Sequence, residues 1–328
     1  MNDTHFARLL AIVLLCSMVS DGTSKALGQE SREPGVVKVF LLAGQSNMEG
    51  HGVVDLDDAR DYNGGRGNLA NFLAGEDGAP WRDLRSGDGS WAVRDDVFVS
   101  YRTDRGELKS GPLSVGYGVH PGTHHIGPEL GFGWVLGAAS DDPVLLVKTC
   151  WGGKSLAKDF RPPSAGGEVG PYYRQMLEEY REAIASMGDR FPALEGRTPM
   201  LEGVVWFQGW NDACDRAATA EYSANLKRLV GDLRSEFGDP ALAIVVGETG
   251  NWDGEEFRGA QRAGCEGLAR VVFVPTRAFL QPAAECPNQT HGHHWFGSGG
   301  SYLQAGDAMG KAMVPMLPAA TASVAPGP

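Results

Sequence analysis

From Val36 onward the chain alternates between short, continuously apolar runs and longer amphipathic stretches. Val36 to Ala43, Pro143 to Lys148, Gly203 to Phe207, Leu242 to Val246 and Arg270 to Val274 contain few polar positions, so each is predicted as a strand covered on both faces. The segments near Gly127 to Ala139, Tyr172 to Ala185, Ala218 to Phe237 and Ser301 to Met313 are predicted as helices. Strands of this kind separated by helices imply a parallel sheet with helices on both sides, a three-layer α/β/α sandwich around five parallel strands. Between about Val53 and Thr123, glycine, aspartate and tryptophan recur without sustained periodicity. This region reads as a long loop insertion over one end of the sheet, of the kind that shapes a binding cleft.

The ends of the chain differ from its body. Arg8 precedes the apolar run Leu9 to Leu15, and small residues follow from Ser24 to Gly28, a pattern that predicts a cleaved export signal over residues 1–28. The mature protein is then expected in the periplasm or outside the cell. The apolar run is shorter than the ~20 residues that span a bilayer, so no stable membrane anchor is expected. Residues 29–317 read as one domain and residues 318–328 as a loose tail.

Composition adds limits rather than detail. With 328 residues, 42% hydrophobic and 21% charged, the chain can bury a large core without staples. A formal charge of −12 with no dense Lys/Arg cluster argues against nucleic acid as a partner. Beyond the signal, Cys150, Cys214, Cys265 and Cys286 show no C-x-x-C spacing, so zinc is not indicated, and full oxidation would leave their pairing open.

In a parallel sheet ligands collect at the carboxyl ends of the strands, which directs attention to the residues that follow each apolar run. The first run ends in Gly44-Gln45-Ser46-Asn47-Met48, the second in Thr149-Cys150-Trp151-Gly152-Gly153-Lys154, and the third in Gln208-Gly209-Trp210-Asn211-Asp212. Taken alone, the first is either a helix cap or a presented nucleophile. All three segments converge on one sheet edge, where backbone N–H groups and a side-chain amide can together hold an oxyanion. A serine nucleophile also needs a base. The late cluster His291-Gly292-His293-His294-Trp295 offers one, and its spacing matches no familiar metal motif. His120, His124 and His125 lie in or just after the insertion, either to touch substrate or, as is commoner, as surface histidines without a role. Trp151, Trp210 and Trp295 sit at the suspected site, either to stack on a sugar ring or to pack the loops.

These segments resemble, in chain order, the blocks of the SGNH (GDSL-like) hydrolases, and in particular the sialate O-acetylesterase and acetylxylan esterase branch, carbohydrate esterase family 6. The blocks are Gly44 to Met48, Lys148 to Leu156, Trp206 to Ala213 and Gly306 to Gly310. The resemblance spans nearly the whole mature chain and implies a flavodoxin-like fold. It further implies Ser46 as nucleophile, an oxyanion hole from the N–H groups of Ser46 and Gly153 with the Asn211 amide, and His294 as base, with His293 as its close rival. Gln45, Asn47, Trp151, Gln208, Trp210 and His293 become candidates for substrate binding. The implied activity is hydrolysis of acetyl esters on carbohydrate hydroxyls, with no cofactor and no metal. The superfamily's aspartate three residues before the histidine is absent, because His291 and Thr290 occupy the two corresponding positions. Glu285 or Asp253, or else a backbone carbonyl, would have to orient the imidazole, and Asp212 reads as structural. The missing acid also leaves room for a carbohydrate-binding protein without hydrolysis, or for an esterase acting on other esters.

Overall fold

The computed structural model describes residues 35–249 and 254–318. The predicted export signal, Asp253 and the tail beyond Pro318 lie outside these residues. Among the described residues there are nine strands: β1 (Val36–Gly44), β2 (Gly52–Val53), β3 (Arg94–Arg102), β4 (Leu108–Leu113), β5 (His125–Ile126), β6 (Val144–Cys150), β7 (Thr198–Phe207), β8 (Ala243–Gly247) and β9 (Val271–Val274). The helices are α1 (Ser46–Glu49), α2 (Leu69–Ala74), α3 (Glu129–Ala138), α4 (Pro171–Ala185), α5 (Met187–Arg190), α6 (Trp210–Ala213), α7 (Arg216–Glu236), α8 (Glu255–Cys265) and α9 (Gly299–Met313).

Seven strands form one sheet in the order β4-β3-β6-β1-β7-β8-β9, parallel throughout except for β4. All five predicted strands are present. The sheet is wider than expected because the apparent loop insertion supplies β3, which pairs parallel with β6, and β4, which closes that edge antiparallel to β3. Val97 to Tyr101 of β3 is as buried as any central strand. Its apolar run is short and follows Arg94-Asp95-Asp96, so the surrounding turn-rich sequence hides it. Gly111 and Pro112 in β4 are tolerated because an edge strand has one unpaired side.

Alternation along each strand sends side chains to opposite layers. Phe40 and Leu42 of β1 join Val205, Phe207 and Val245 against α3 and α9, while Leu41 and Ala43 join Val204, Trp206 and Ile244 against α4, α7 and α8. The first layer requires glycine. A Cβ at Gly131 of α3 would lie 2.2 Å from the Leu303 carbonyl, and one at Gly306 of α9 2.0 Å from the Pro128 carbonyl, so these two helices touch backbone to backbone. Caps fix the starts of two long helices: Asp215 accepts from the Ala217 and Ala218 amides, and Ser298 from that of Ser301.

Beneath the carboxyl edge lies a fully buried ion pair. Lys148 of β6 donates to Glu129 Oε2 at 2.8 Å, to the Tyr117 carbonyl at 2.7 Å and to the Glu49 carbonyl at 3.0 Å, and neither ionic side chain has exposed surface. Glu129 Oε1 in turn accepts the Gly127 amide at 2.8 Å. Lys109 does similar work nearby, donating to the carbonyls of Gly116, Gly118 and His120 at 2.9, 2.8 and 2.6 Å. The four cysteines beyond the predicted signal are free thiols, with Cys150, Cys265 and Cys286 buried and Cys214 exposed.

Replacing Glu129 with leucine leaves an uncompensated buried ammonium, and should cost about 3–5 kcal/mol in urea unfolding. The double variant Glu129→Leu/Lys148→Met should recover much of that loss. Equal instability of the two variants would show that packing, not charge, dominates here.

Candidate active site

β1 runs out at Gly44, where a Cβ would sit 2.3 Å from the Phe207 carbonyl, so the chain turns tightly against the end of β7. Gln45 follows, and Ser46 opens the single turn of α1 with 8% of its surface exposed. The Gln45 side chain is buried and spent on the neighbouring segment. Its Oε1 accepts the Gly209 amide at 3.0 Å, and its Nε2 donates to Asn211 Oδ1 at 2.9 Å. Because the Asn211 carbonyl is engaged by Gln45, its NH₂ group is the end left to donate to a ligand.

The glycine loop is tied to the same place. Asp212, buried in α6, accepts the Leu156 and Ala157 amides at 2.8 and 2.9 Å and Gln208 Nε2 at 2.6 Å. Gln208 also donates to the Lys154 carbonyl at 2.9 Å, and its Oε1 accepts the Tyr222 hydroxyl at 3.1 Å. A Cβ on Gly152 would lie 3.9 Å from that of Ser46 and 3.1 Å from Glu49 Oε2. The Gly152 amide is directed at the Glu49 carboxyl, and the neighbouring Gly153 adopts a left-handed φ of +71°. Glu49 had no role in the sequence reading. Burial first, and then the charge of Asp104, push its carboxyl up to about 7.

Several expected substrate contacts take other roles. Gln45, Asn47 and Gln208 are buried at 1%, 0% and 0% exposure, and all three bond to protein atoms, Asn47 Oδ1 accepting the Tyr302 hydroxyl at 3.1 Å. Gln45 and Gln208 thereby tie segments of the site together, while Asn47 Nδ2 is buried without a hydrogen-bond partner among the described residues. Trp151, at 4% exposure, packs its ring on Phe160 and Tyr172, and Trp295 is a core residue at 1%. Trp210 is half-buried, with its ring 5.7 Å from that of His293.

The histidine loop meets the inserted region at a cavity of about 430 Å³ lined by His51, His120, His125, His291, His293 and His294, with Asp61, Tyr62 and Asn288. His294 lies flat on His51, ring centroids 3.8 Å apart and planes 7° from parallel, and His293 is 4.0 Å from His294. Ser46 is thereby linked to the loop through His51, which follows α1 by two residues, although Ser46 makes no side-chain hydrogen bond to either loop histidine among the described residues. Trp295 and Phe296 adopt left-handed φ of 53° and 52°, a conformation that costs non-glycine residues of order 1–2 kcal/mol each. Burial of Trp295 in the core holds that turn in place and fixes the direction of the histidines before it. His120 and His125 join the chamber, whereas His124 turns out to Asp55 at 2.6 Å.

No carboxylate bonds to His293 or His294 among the described residues. Glu285 is exposed and faces Arg66 at 3.9 Å, so it does not serve as the orienting acid. Asp61 reaches the cavity, but both its oxygens are held by Arg60. Nor does any group of three or more His, Cys, Asp or Glu side chains form a metal-binding arrangement among the described residues. The crowded imidazoles disfavour charge. Burial and then the neighbouring histidines lower His51 to about 2, His125 to about 3 and His294 to about 3.

The molecule is therefore an α/β protein with a serine, a glycine loop, an asparagine and a histidine loop assembled at the carboxyl edge of a mostly parallel sheet. Residues 36–300 match the family described as "Carbohydrate esterase, sialic acid-specific acetylesterase", and the chain belongs to that family. No curated protein matches it in sequence. Among solved structures, an Arabidopsis thaliana protein shares the fold at 17% identity and a TM-score of 0.55, covering 86% of this chain and 98% of its own. A carbohydrate acetylesterase from Xanthomonas citri does so at 15% identity and 0.51, covering 84% of this chain and 55% of its own.

The three strongly lowered histidines stay neutral when folded and take up protons on unfolding. Their contribution is full above about pH 6.5 and is lost as pH falls towards about 3. Glu49, raised to about 7, acts oppositely: its contribution is full below pH 4.5 and is lost as pH rises through 7. Three groups outweigh one, so the urea midpoint should fall between pH 6.5 and 4.5. His51→Asn should reduce the slope by about one proton. A flat midpoint across that range would contradict this account.

Proposed function

We propose that the protein is a serine esterase that removes acetyl groups from carbohydrate hydroxyls through an acyl-enzyme on Ser46. The observation that carries this reading is the Gln45 amide, which fixes Asn211 beside Ser46 with its NH₂ group free to donate. Ser46 Oγ attacks the ester carbonyl, and the oxyanion is received by the N–H groups of Ser46 and Gly153 and the Asn211 amide. His294 takes the proton and returns it to the sugar oxygen, and water then hydrolyses the acetyl-enzyme. The order and chemistry of the blocks support placing the chain with SGNH-type enzymes, in the branch that includes acetylxylan esterases. The apolar leader supports an exported enzyme acting in the periplasm or beyond.

Burial keeps His294 in its base form, but no described carboxylate stabilises the imidazolium that catalysis would create. Slow turnover is the consequence. The same absence favours the second reading, a carbohydrate-binding protein on an esterase fold.

The two readings separate on one measurement. A fluorophosphonate should label Ser46 in the folded protein, as read by mass spectrometry, and folded protein that takes up no label would favour the binder. Ser46→Ala should abolish turnover of 4-nitrophenyl acetate. His294→Ala should lower kcat by about 10²-fold or more, and by more than His293→Ala does.

A further inference from the structure

A second cavity, of about 370 Å³, is lined by the glycine loop and shares no residue with the histidine chamber. Its walls come from three elements: the β3–β4 connection with Arg102 and Asp104, the loop residues Gly152 and Lys154, and the first turns of α4 with Tyr172 and Glu179. Gly152 belongs to this wall and also to the nucleophile's surroundings, since its Cβ position is 3.9 Å from that of Ser46.

The chemistry of the wall is that of a sugar site. Tyr172 is half-buried beside Trp151, which also lines the cavity with its ring centroid 5.2 Å away, and the Lys154 ammonium is 4.5 Å from the Tyr172 ring centroid. Glu179 Oε1 accepts from Gln175 at 2.9 Å, but Glu179 Oε2 is shielded from solvent and accepts no hydrogen bond. A buried acceptor left unmet is disfavoured, and a ligand hydroxyl donating to it would relieve that. Charges across the wall balance, with Arg102 and Lys154 facing Asp104 and Glu179, and Arg102 is already paired with Glu182 at 2.6 Å. An anionic ligand would meet two carboxylates, whereas a neutral polyol meets donors, acceptors and an aromatic face.

We infer that this cavity is the subsite for an uncharged glycosyl residue of the substrate, adjoining the acetylated position held at Ser46. The inference rests on the esterase reading for its place in the reaction, but binding itself does not require turnover. It assigns substrate recognition to the β3–β4 connection and α4, away from the histidine loop.

Two measurements test it. The first is the ratio of kcat/KM on an acetylated neutral oligosaccharide to that on 4-nitrophenyl acetate, which should fall about tenfold or more in both Tyr172→Ala and Glu179→Gln. A ratio that stays constant, with both substrates lost together or both retained, overturns the subsite. Wild-type preference for an acetylated acidic sugar over the neutral one overturns the ligand class. The second is calorimetry on Ser46→Ala with the deacetylated neutral oligosaccharide, where binding should be measurable and Glu179→Gln should weaken it about tenfold. Absence of binding overturns the subsite. Binding in a protein whose wild type leaves 4-nitrophenyl acetate intact would instead sink the esterase reading and leave the subsite standing.

Discussion

Lys148 has no exposed surface, yet its ammonium reaches three separate parts of the chain, and the carboxyl edge of the sheet is organised around it. It caps the end of the Ser46 turn through the Glu49 carbonyl, holds the inserted region through Tyr117, and is neutralised by Glu129 at the start of α3. A buried cation must be met by good acceptors or its desolvation costs several kcal/mol, so the three segments are obliged to converge. α1 is only one turn long and could not hold its own orientation by helical hydrogen bonds. Ser46 owes its fixed position to neighbours that are distant in sequence.

A second layer of order is made by amides and carboxylates that never touch solvent. Gln45 joins the end of β1 to α6, and Asp212 and Gln208 join α6 to the glycine loop, so the three segments proposed to hold the oxyanion are linked to one another by side chains. Preorganised donors of this kind stabilise a developing charge without reorganising when it forms. The histidine side is built differently. Burial first, and then the neighbouring imidazoles, lower the basicity of His294, and the superfamily's aspartate three residues before the histidine is replaced here by His291.

What was legible followed from periodicity and from chemistry concentrated at strand ends. β1, β6, β7 and β8 announce themselves as apolar runs because both faces of a central parallel strand are buried, β9 is apolar although it is a half-exposed edge strand, and α3, α4, α7 and α9 follow in the intervals. β3 and β4 were not legible: one has a short apolar run behind acidic residues, and the other carries the glycine and proline that an edge allows. α8 was missed as well, since it lies between a loop and a short strand and carries charged residues across much of its length. At the site, Ser46, Gly153 and Asn211 were visible as unusual junctions. Glu49 and His51 were not, because what distinguishes them is their neighbours: a glycine amide and Asp104 for one, and the flat face of His294 for the other.

The sequence by itself determined the layer architecture, the sheet edge on which the chemistry lies and the residue types brought to it, since burial on two faces and the need for donors at strand ends are local requirements. Tertiary structure alone decided which polar residues serve as framework and which remain available. Gln45 and Gln208 read as contacts for a ligand until their burial and partners are known, and Tyr172 and Glu179 read as ordinary helix positions until the β3–β4 connection is placed opposite them. Hydrogen-bond partners and solvent access are properties of distances across the fold, set by segments tens to hundreds of residues apart, and no local pattern encodes them.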